Sequence, residues 1–252
     1  QRQMCIRDRY YIDELPLKGE WGEIPNFLCF GYYGGMPKLN LKNPEVANYI
    51  TDVACYWIRE CDIDGWRLDV GDEISHFFWK NFRKAIKAVK KDMLIIGEIW
   101  HYAGDFLEGD EWDTVMNYPF YLNLIDLLAD EKINVSQFVE NLGYLKGRLN
   151  KKCYPLMWNL IDSHDTARFL HLCHDNKKKQ HLAAAFQLLM PGMPMVYYGD
   201  EYAMPGANDP DCRRGMYWDE EYQDKEMYNW YKKLMQVRNC LLYTSDAADD
   251  GE

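Results

Sequence analysis

Apolar residues recur at helical spacing in several stretches of the chain. After Pro44, a favourable first residue for a helix, Val46, Ile50 and Val53 begin a series with apolar side chains every three to four residues. The same spacing returns in later stretches that lack internal proline. It predicts helices over 44–60, 75–90, 135–149, 180–190 and 226–237.

Short apolar runs alternate with these predicted helices. They are too short for helices of their own, and several are rich in β-branched residues, which is typical of buried strands. The runs predict strands over 64–70, 93–99, 114–116, 156–161 and 195–198. Strands that alternate with crossover helices pair in parallel, so the sequence predicts the α/β class with a parallel sheet.

Acidic residues follow three of the predicted strands. Asp69 ends Gly-Trp-Arg-Leu-Asp, Glu98 lies in Gly-Glu-Ile-Trp-His, and Asp165 ends Ser-His-Asp. A parallel barrel carries its chemistry at the C-terminal ends of its strands, so we expect the three carboxyl groups in one pocket. Two carboxyl groups that flank a bond, one as nucleophile and one as proton donor, are the machinery of glycoside hydrolysis.

These three motifs resemble those of the α-amylase superfamily of glycoside hydrolases. Met-Pro-Lys-Leu-Asn at 36–40 is similar to the signature of its neopullulanase, cyclomaltodextrinase and maltogenic amylase branch. Further similar stretches lie at 115–120, 197–201 and 209–214, in family order. The resemblance runs from about Tyr10 to Asn239 and implies the family's fold, the (β/α)8 TIM barrel.

The resemblance also implies a domain organisation. Residues 10–40, rich in glycine, proline and aromatic residues, correspond to a remnant of an irregular domain B, and residues 41–240 to the C-terminal part of the barrel, roughly strands four to eight. The family's early Asp-x-x-x-Asn-His motif is absent. The stretches 1–9 and 241–252 are interpreted as non-native-looking termini, with ordinary disordered termini as the alternative. Activity of such a fragment is in doubt, because an open barrel leaves two strand edges unpaired.

The activity that the resemblance implies is retaining hydrolysis of α-1,4-glucans such as cyclomaltodextrins, maltooligosaccharides and pullulan. Asp69 would be the nucleophile, Glu98 the general acid and base, and Asp165 the acid that holds sugar hydroxyls in the transition state. A sugar acceptor in place of water would give transglycosylation. Outside this context each acid would be an ordinary strand-end or loop carboxylate.

Residues near the motifs are expected to bind substrate. Arg67 lies two positions before Asp69 on the same face of the strand, so it could keep that carboxylate ionised. His164 would hydrogen-bond the sugar that Asp165 holds. The remaining candidates are Trp100, His101, Asn117, Arg168, Asp209 and Arg213. For Asn117, Asp209 and Arg213 a purely structural role in loops is an equally good interpretation, and Trp100 could instead belong to the core.

The composition of the chain limits the classes of partner and the cellular compartment that we expect. The net charge of −11 argues against nucleic acid, because phosphate binding needs a basic face. No apolar run approaches the roughly 20 residues of a membrane span, so no membrane partner is expected. The eight cysteines form no Cys-x-x-Cys pair, which disfavours a zinc knuckle or a thioredoxin-type site. Their scatter favours small apolar residues in a reducing, cytoplasmic compartment over a disulfide framework, although a signal could precede the first residue. Relatives often dimerise, so the full-length protein could form a homodimer.

No metal or cofactor is expected from the motifs. The sequence has no Asp-x-Asp-x-Asp loop and no glycine-rich phosphate loop. Some relatives bind structural calcium, which this sequence does not support.

Two other interpretations of the function stay open. A catalytically silent glucan-binding or interaction protein could use the same fold, although such a protein typically lacks one of the three acids. A relative that cleaves α-1,6 bonds or mainly transfers sugars is the second alternative, against which Met-Pro-Lys-Leu-Asn argues.

Overall fold

The computed structural model describes residues 7–14, 16–19 and 24–249, with side chains described as far as residue 240. The chain divides into two compact units. The first comprises Gln1–Glu98 and Asp105–Asp113, and the second Ile99–Gly104 and Thr114–Glu252. In the described part there are seven α-helices and five strands.

The first unit contains helix α1 (Pro44–Cys61), strand β1 (Gly65–Leu68), helix α2 (His76–Val89) and strand β2 (Leu94–Gly97). The strands are parallel, with Gly65 opposite Leu94 and Leu68 opposite Gly97. The helices and strands predicted here are confirmed to within a few residues. Before α1 the described backbone is irregular, as expected, and forms three isolated antiparallel bridges, Tyr10 with Leu39, Ile12 with Phe27 and Cys29 with Pro37.

Local sequence explains where these helices begin and which faces they bury. The side chain of Asn43 accepts a hydrogen bond from the Glu45 N–H at the start of α1, and Ser75 does the same for Phe78 in α2. The apolar face of α2 is buried and consists of Phe78, Trp79, Phe82 and Ile86. Burial of such an amphipathic face is what stabilises a helix of this length.

The second unit contains β3 (Thr114–Val115), α3 (Tyr118–Leu124), α4 (Val135–Arg148), β4 (Trp158–Asn159), α5 (Phe169–Leu172), α6 (Lys177–Leu189), β5 (Met193–Pro194) and α7 (Lys225–Asp249). Strands β4 and β5 are parallel, and a parallel bridge joins Met116 to Trp158. Core residues come from α3, α4 and α6, including Phe120, Phe138 and Ala183. The predicted order of strands and crossover helices is confirmed in this unit.

Several sequence predictions in the second unit differ from the structure. The strand expected over 156–161 is limited to Trp158–Asn159, because Leu156 lies in a 3-10 turn that Pro155 favours. The strand expected over 195–198 lies instead at Met193–Pro194, since Asn159 pairs with Pro194 and the ladder ends with the bond from Met195 N–H to Asn159 O. Apolar composition predicts a buried extended run but does not locate its ladder.

Helix α3, the short helix α5 and the full length of α7 were not predicted. Helix α3 follows Asn117, whose side chain accepts from Phe120 N–H, and carries proline in its first turn. This capping pattern was readable in the sequence. Helix α7 extends to Asp249, well beyond the predicted end at 237 and into the tail interpreted as non-native. No helix among the described residues combines the length and apolarity required to cross a bilayer.

Candidate active site

Three charged side chains of the first unit meet where β1 and β2 end. Arg67 lies within β1, Asp69 follows that strand directly, and Glu98 follows β2 directly. Because Leu68 pairs with Gly97, the two acidic residues leave neighbouring parallel strands at the same edge. The expectation that Asp69 and Glu98 lie at one strand edge agrees with this register.

Arg67 contacts both acids of this edge. One guanidinium nitrogen donates a short hydrogen bond to Asp69 Oδ1, and the other, Nη2, lies 2.9 Å from Glu98 Oε1. The Glu98 side chain is only 5% exposed, whereas that of Asp69 is 74% exposed. The arrangement thus presents one carboxylate to a ligand and keeps the second largely out of water.

The turn after β1 aims backbone donors at Glu98. Val70 N–H donates to Glu98 Oε2 at 2.9 Å, and Gly71 N–H to Glu98 O at 3.1 Å. Val70 has φ 44° and ψ 46°, left-handed values that cost a non-glycine residue roughly 1–2 kcal/mol. Trp79 Nε1–H donates to Gly71 O at 2.8 Å and helps to hold this conformation.

Trp112 packs closely against both glycines of the site. A Cβ atom on Gly97 would lie 2.2 Å from Trp112 Cε3, and one on Gly71 would lie 2.7 Å from Cζ2. Trp112 is fully buried and stacks on Phe106. It therefore packs against the end of β2 and is not accessible to a ligand.

Residues 36–40 contact the 3-10 turn that follows Asp69 in the first unit. Lys38 Nζ lies 2.5 Å from Glu73 Oε2, and Glu73 in turn accepts from Gly31 N–H at 3.0 Å. Glu73 belongs to the 3-10 turn that follows Asp69 and Val70. The signature pentapeptide thereby fixes the turn next to Asp69.

A second group of charged residues lies in the second unit. His164 Nε2 is 3.0 Å from Asp165 Oδ2, and Arg213 Nη2 is 3.2 Å from Asp165 Oδ1. Arg213 Nε also lies 3.0 Å from Asp209 Oδ1. Through these contacts the structure brings together four of the predicted site residues. Their side chains are partly exposed.

Hydrogen bonds within the turn place Asp165. Its N–H donates to Ser163 Oγ at 3.1 Å, and Ser163 N–H donates to Thr166 Oγ1 at 2.9 Å. The turn is closed at its base by the Phe169 N–H, which donates to Asp162 Oδ2 at 2.7 Å. Asp162 was not among the predicted site residues, although it directly precedes Ser-His-Asp.

Two residues expected to bind substrate are buried. Arg168 is 0% exposed and donates to Tyr198 O at 2.8 Å and to Asp200 Oδ1 at 3.3 Å. Asn117 is 3% exposed and holds the start of α3 and the side chain of Asn159. Arg168 Nη1 and the side-chain amide of Asn117 both bond to protein groups, and neither side chain is accessible.

Trp100 and His101 remain accessible. Trp100 is 42% exposed and stacks on Tyr118 with ring centroids 4.1 Å apart. His101 is exposed, with Nδ1 3.2 Å from Tyr102 O. An indole backed by a second ring is a suitable surface for a sugar face.

The described residues contain no group of three or more His, Cys, Asp or Glu side chains arranged to hold a metal ion.

Comparison with known proteins decides the family. A model of the α-amylase catalytic domain matches residues 20–245. The chain belongs to the α-amylase catalytic-domain family. The resemblance and the predicted fold class are thereby confirmed, since this family has the (β/α)8 barrel fold and this α-amylase segment forms part of one.

Relatives of this α-amylase segment include cyclomaltodextrinases and maltogenic amylases. It is 50% identical over 232 residues to the cyclomaltodextrinase of Thermoanaerobacter pseudethanolicus, covering 92% of this chain and 40% of that protein. It is 42% identical over 243 residues to the intracellular maltogenic amylase of Bacillus subtilis, covering 95% and 40%. A solved cyclomaltodextrinase structure matches with a TM-score of 0.89 at 41% identity, covering 93% and 40%. The chain therefore spans about two fifths of the length of these relatives.

Proposed function

We propose that the chain carries the catalytic acids of a retaining hydrolase that acts on α-1,4-glucans, including cyclomaltodextrins, maltooligosaccharides and pullulan. The observation that carries the proposal is the Arg67 guanidinium, which contacts the exposed Asp69 and the buried Glu98 at one strand edge. Asp69 is suited to nucleophilic attack, since its carboxylate is accessible and is held in place by Arg67. Glu98, held by Val70 N–H and Arg67, is suited to proton transfer at a fixed position.

Each step follows from these roles. Asp69 attacks the anomeric carbon while the bond to the leaving-group oxygen breaks, and Glu98 gives that oxygen its proton. Water then attacks the anomeric carbon of the glycosyl ester while Glu98 takes a proton from that water. This step frees Asp69, and the two attacks together retain the configuration. A sugar hydroxyl in place of water gives transglycosylation. The carboxyl groups of a retaining pair are expected about 5–5.5 Å apart.

Asp165 is proposed to hold sugar hydroxyls in the transition state. Its contacts with His164 and Arg213 hold the carboxylate in a fixed direction. His164, Asp209 and Arg213 line the same group and are proposed to contact substrate, as are Trp100 and His101. Arg168 and Asn117 contribute through the positions of neighbouring groups.

The wider context of the protein is also proposed. Residues 10–40 are taken as a remnant of domain B, 41–240 as part of the catalytic barrel, and 1–9 and 241–252 as segments outside it. The full-length protein is proposed to act in the cytoplasm, as the name of the Bacillus subtilis relative suggests for that protein. It can form a homodimer, and its acidic surface disfavours nucleic acid.

A chimera tests the catalytic proposal. In the cyclomaltodextrinase of Thermoanaerobacter pseudethanolicus, this chain replaces the 232 matching residues. We expect the chimera to open cyclomaltodextrins. Asp69→Asn should lower kcat by at least about 10³, the scale seen when an essential nucleophile is removed. Asp110→Asn is the matched control, since Asp110 is exposed and pairs only with Lys80 among the described residues.

A substrate that needs no acid separates the two roles. α-Maltosyl fluoride has a good leaving group, so we expect Glu98→Gln to form its glycosyl-enzyme and Asp69→Asn to form none. Mass spectrometry should find the added sugar on the peptide that contains Asp69. A sugar on another peptide, or near-parental turnover by Asp69→Asn, would refute the assignment. An inactive but folded and glucan-binding chimera would favour the catalytically silent alternative.

A further inference from the structure

Two aspartates and an arginine are buried together beneath the turn that carries Asp165. Asp162 and Arg168 are 0% exposed and Asp200 is 1% exposed. Asp162 and Arg168 belong to the turn between β4 and α5, and Asp200 begins the 3-10 turn Asp200–Tyr202. Buried charged residues at such depth are rare unless their charges are paired.

Each carboxyl group of this triad has one oxygen atom that accepts a hydrogen bond from the described part of the protein and one that does not. Asp162 Oδ2 accepts from Phe169 N–H at 2.7 Å, and Asp200 Oδ1 accepts from Arg168 Nη1 at 3.3 Å. Asp162 Oδ1 and Asp200 Oδ2 are buried and have no donor among the described residues. The two carboxyl groups lie within hydrogen-bonding reach of each other. Two ionised carboxylates are both acceptors, so a bond between them requires a proton.

The charges of the triad also indicate that the two aspartates hold one proton. Arg168 is permanently cationic and compensates one carboxylate, so two ionised aspartates would leave a net negative charge in the interior. Glu201 adds a further negative charge nearby, and the buried Tyr231 hydroxyl supplies no charge. Burial and the adjacent Asp162 raise the pKa of Asp200 well above its ordinary value, and burial raises the pKa of Asp162, with Arg168 opposing both shifts.

We propose that Asp162 and Asp200 share one proton and form, with Arg168, a neutral buried triad that positions the Asp165 turn. The proton satisfies both remaining oxygens with one hydrogen bond. Asp162 then keeps its bond to Phe169 N–H, which closes the turn, while Arg168 joins the turn to the Tyr198 backbone. The residues are positioning residues, since they act through Asp165.

Infrared spectroscopy tests the shared proton. At neutral pH in D2O, the folded chain should show the carbonyl stretch of a neutral carboxylic acid, separate from the amide and carboxylate bands. The band should shift when aspartate is labelled with ¹³C at its side-chain carboxyl. It should disappear in Asp200→Asn and in Asp162→Asn. Glu111→Gln is the control, because Glu111 is 2% exposed and burial raises its pKa, yet its carboxyl lies outside the triad.

Each outcome decides the question. A band that moves with the aspartate label and persists in Glu111→Gln supports the proposal. No label-dependent band in the folded wild-type chain, or one that survives both asparagine substitutions, refutes it. The labelled wild-type spectrum is informative even where a variant does not fold.

The double variant provides an independent test. Each single asparagine leaves one carboxylate to pair with Arg168 and supplies an N–H where the proton was, so each should melt near the wild type. Asp162→Asn/Asp200→Asn leaves the buried Arg168 without an anion and should melt far below both. A double variant as stable as the single variants would show that Arg168 does not need the pair.

The positioning role rests on the proposed function and is tested in the chimera. Asp200→Asn should keep turnover, and Asp200→Ala should lower kcat by about tenfold to a hundredfold with little change in KM, as expected for a misplaced group. Equal activity of the two variants would contradict positioning without affecting the infrared result. Loss of the parental chimera's activity on Asp69→Asn tests the function separately.

Discussion

The guanidinium group of Arg67 contacts two acids, Asp69 and Glu98, that lie in different environments. The Glu98 side chain, 5% exposed, has an ion pair to Arg67 and a hydrogen bond from Val70 N–H. Asp69 is mostly in water and depends less on the same arginine for its solvation. Arg67 should therefore stabilise the fold mainly through its contact with the buried Glu98. Removing the partner of a buried charge costs far more free energy than removing the partner of an exposed one.

Replacement of Arg67 by methionine tests this difference. Arg67→Met keeps the unbranched apolar stem of the side chain but leaves Glu98 buried without its guanidinium, so the free energy of unfolding should fall by about 1–3 kcal/mol. Urea unfolding followed by circular dichroism measures the loss. Lys132→Met is the matched control, since its ion pairs with Asp126 and Asp130 are exposed, and it should unfold as the wild type does. Equal effects of the two substitutions would contradict the argument.

Trp112 packs against the backbone at the ends of β1 and β2. Trp112 lies so close to Gly97 and Gly71 that neither position has room for a side chain. Gly97 directly precedes Glu98, so a shift of this strand end would move the acid as well. The close approach explains why glycine is required at the end of a strand that is otherwise apolar and branched.

A pair of glycine-to-alanine substitutions isolates this contact. Gly97→Ala should lower the free energy of unfolding by about 1–3 kcal/mol, because its Cβ would overlap the indole ring of Trp112. Gly143→Ala in α4 has nothing within 4 Å of its Cβ and should raise stability by about 0.5–1 kcal/mol through helix propensity. Tryptophan fluorescence during urea unfolding reports both. A Gly97→Ala variant as stable as the wild type would show that the indole can move aside at no cost.

Across the whole chain, the buried Asp162–Asp200 pair links unfolding to pH. Among the described residues, the neighbouring charged or titratable groups are Arg168, Glu201, Tyr121 and Tyr231. Because burial raises the pKa of Asp200 in the folded chain, the folded state keeps a proton that the unfolded state releases above about pH 3.9. The stabilisation is complete below the unfolded pKa and is lost as the pH rises towards the raised folded pKa.

Asp200→Asn should flatten this dependence. The free energy of unfolding of the wild type should fall between about pH 5 and pH 8 relative to that of the variant, which has no proton to lose. Urea unfolding at several pH values in this interval measures both slopes. Asp110→Asn serves as the control, because Lys80 lowers the pKa of Asp110 and its titration lies below the interval. Parallel slopes for the wild type and Asp200→Asn would contradict a shared proton in the folded state.

Elements with a local cause were predictable from the sequence. Apolar periodicity located α1 and α2. The caps that the structure shows at Asn43 and Ser75 are local too, because helix ends are fixed by neighbouring residues. Helix α3 carried the same kind of signal at Asn117 and could have been found. The strand at Met193–Pro194 could not, since its ladder depends on which residue of β4 lies opposite, a contact between segments far apart in the chain.

The sequence by itself determined the order of strands and helices, the acidic motifs at strand ends and, through those motifs, the family. Local spacing and residue chemistry carry this information because they act within a few neighbouring positions. The tertiary structure alone decided which side chains are accessible: it exposed Asp69 and Trp100 and buried Glu98 and Arg168. Burial and the sharing of a proton depend on segments that meet only after folding, so no pattern along the chain contains them.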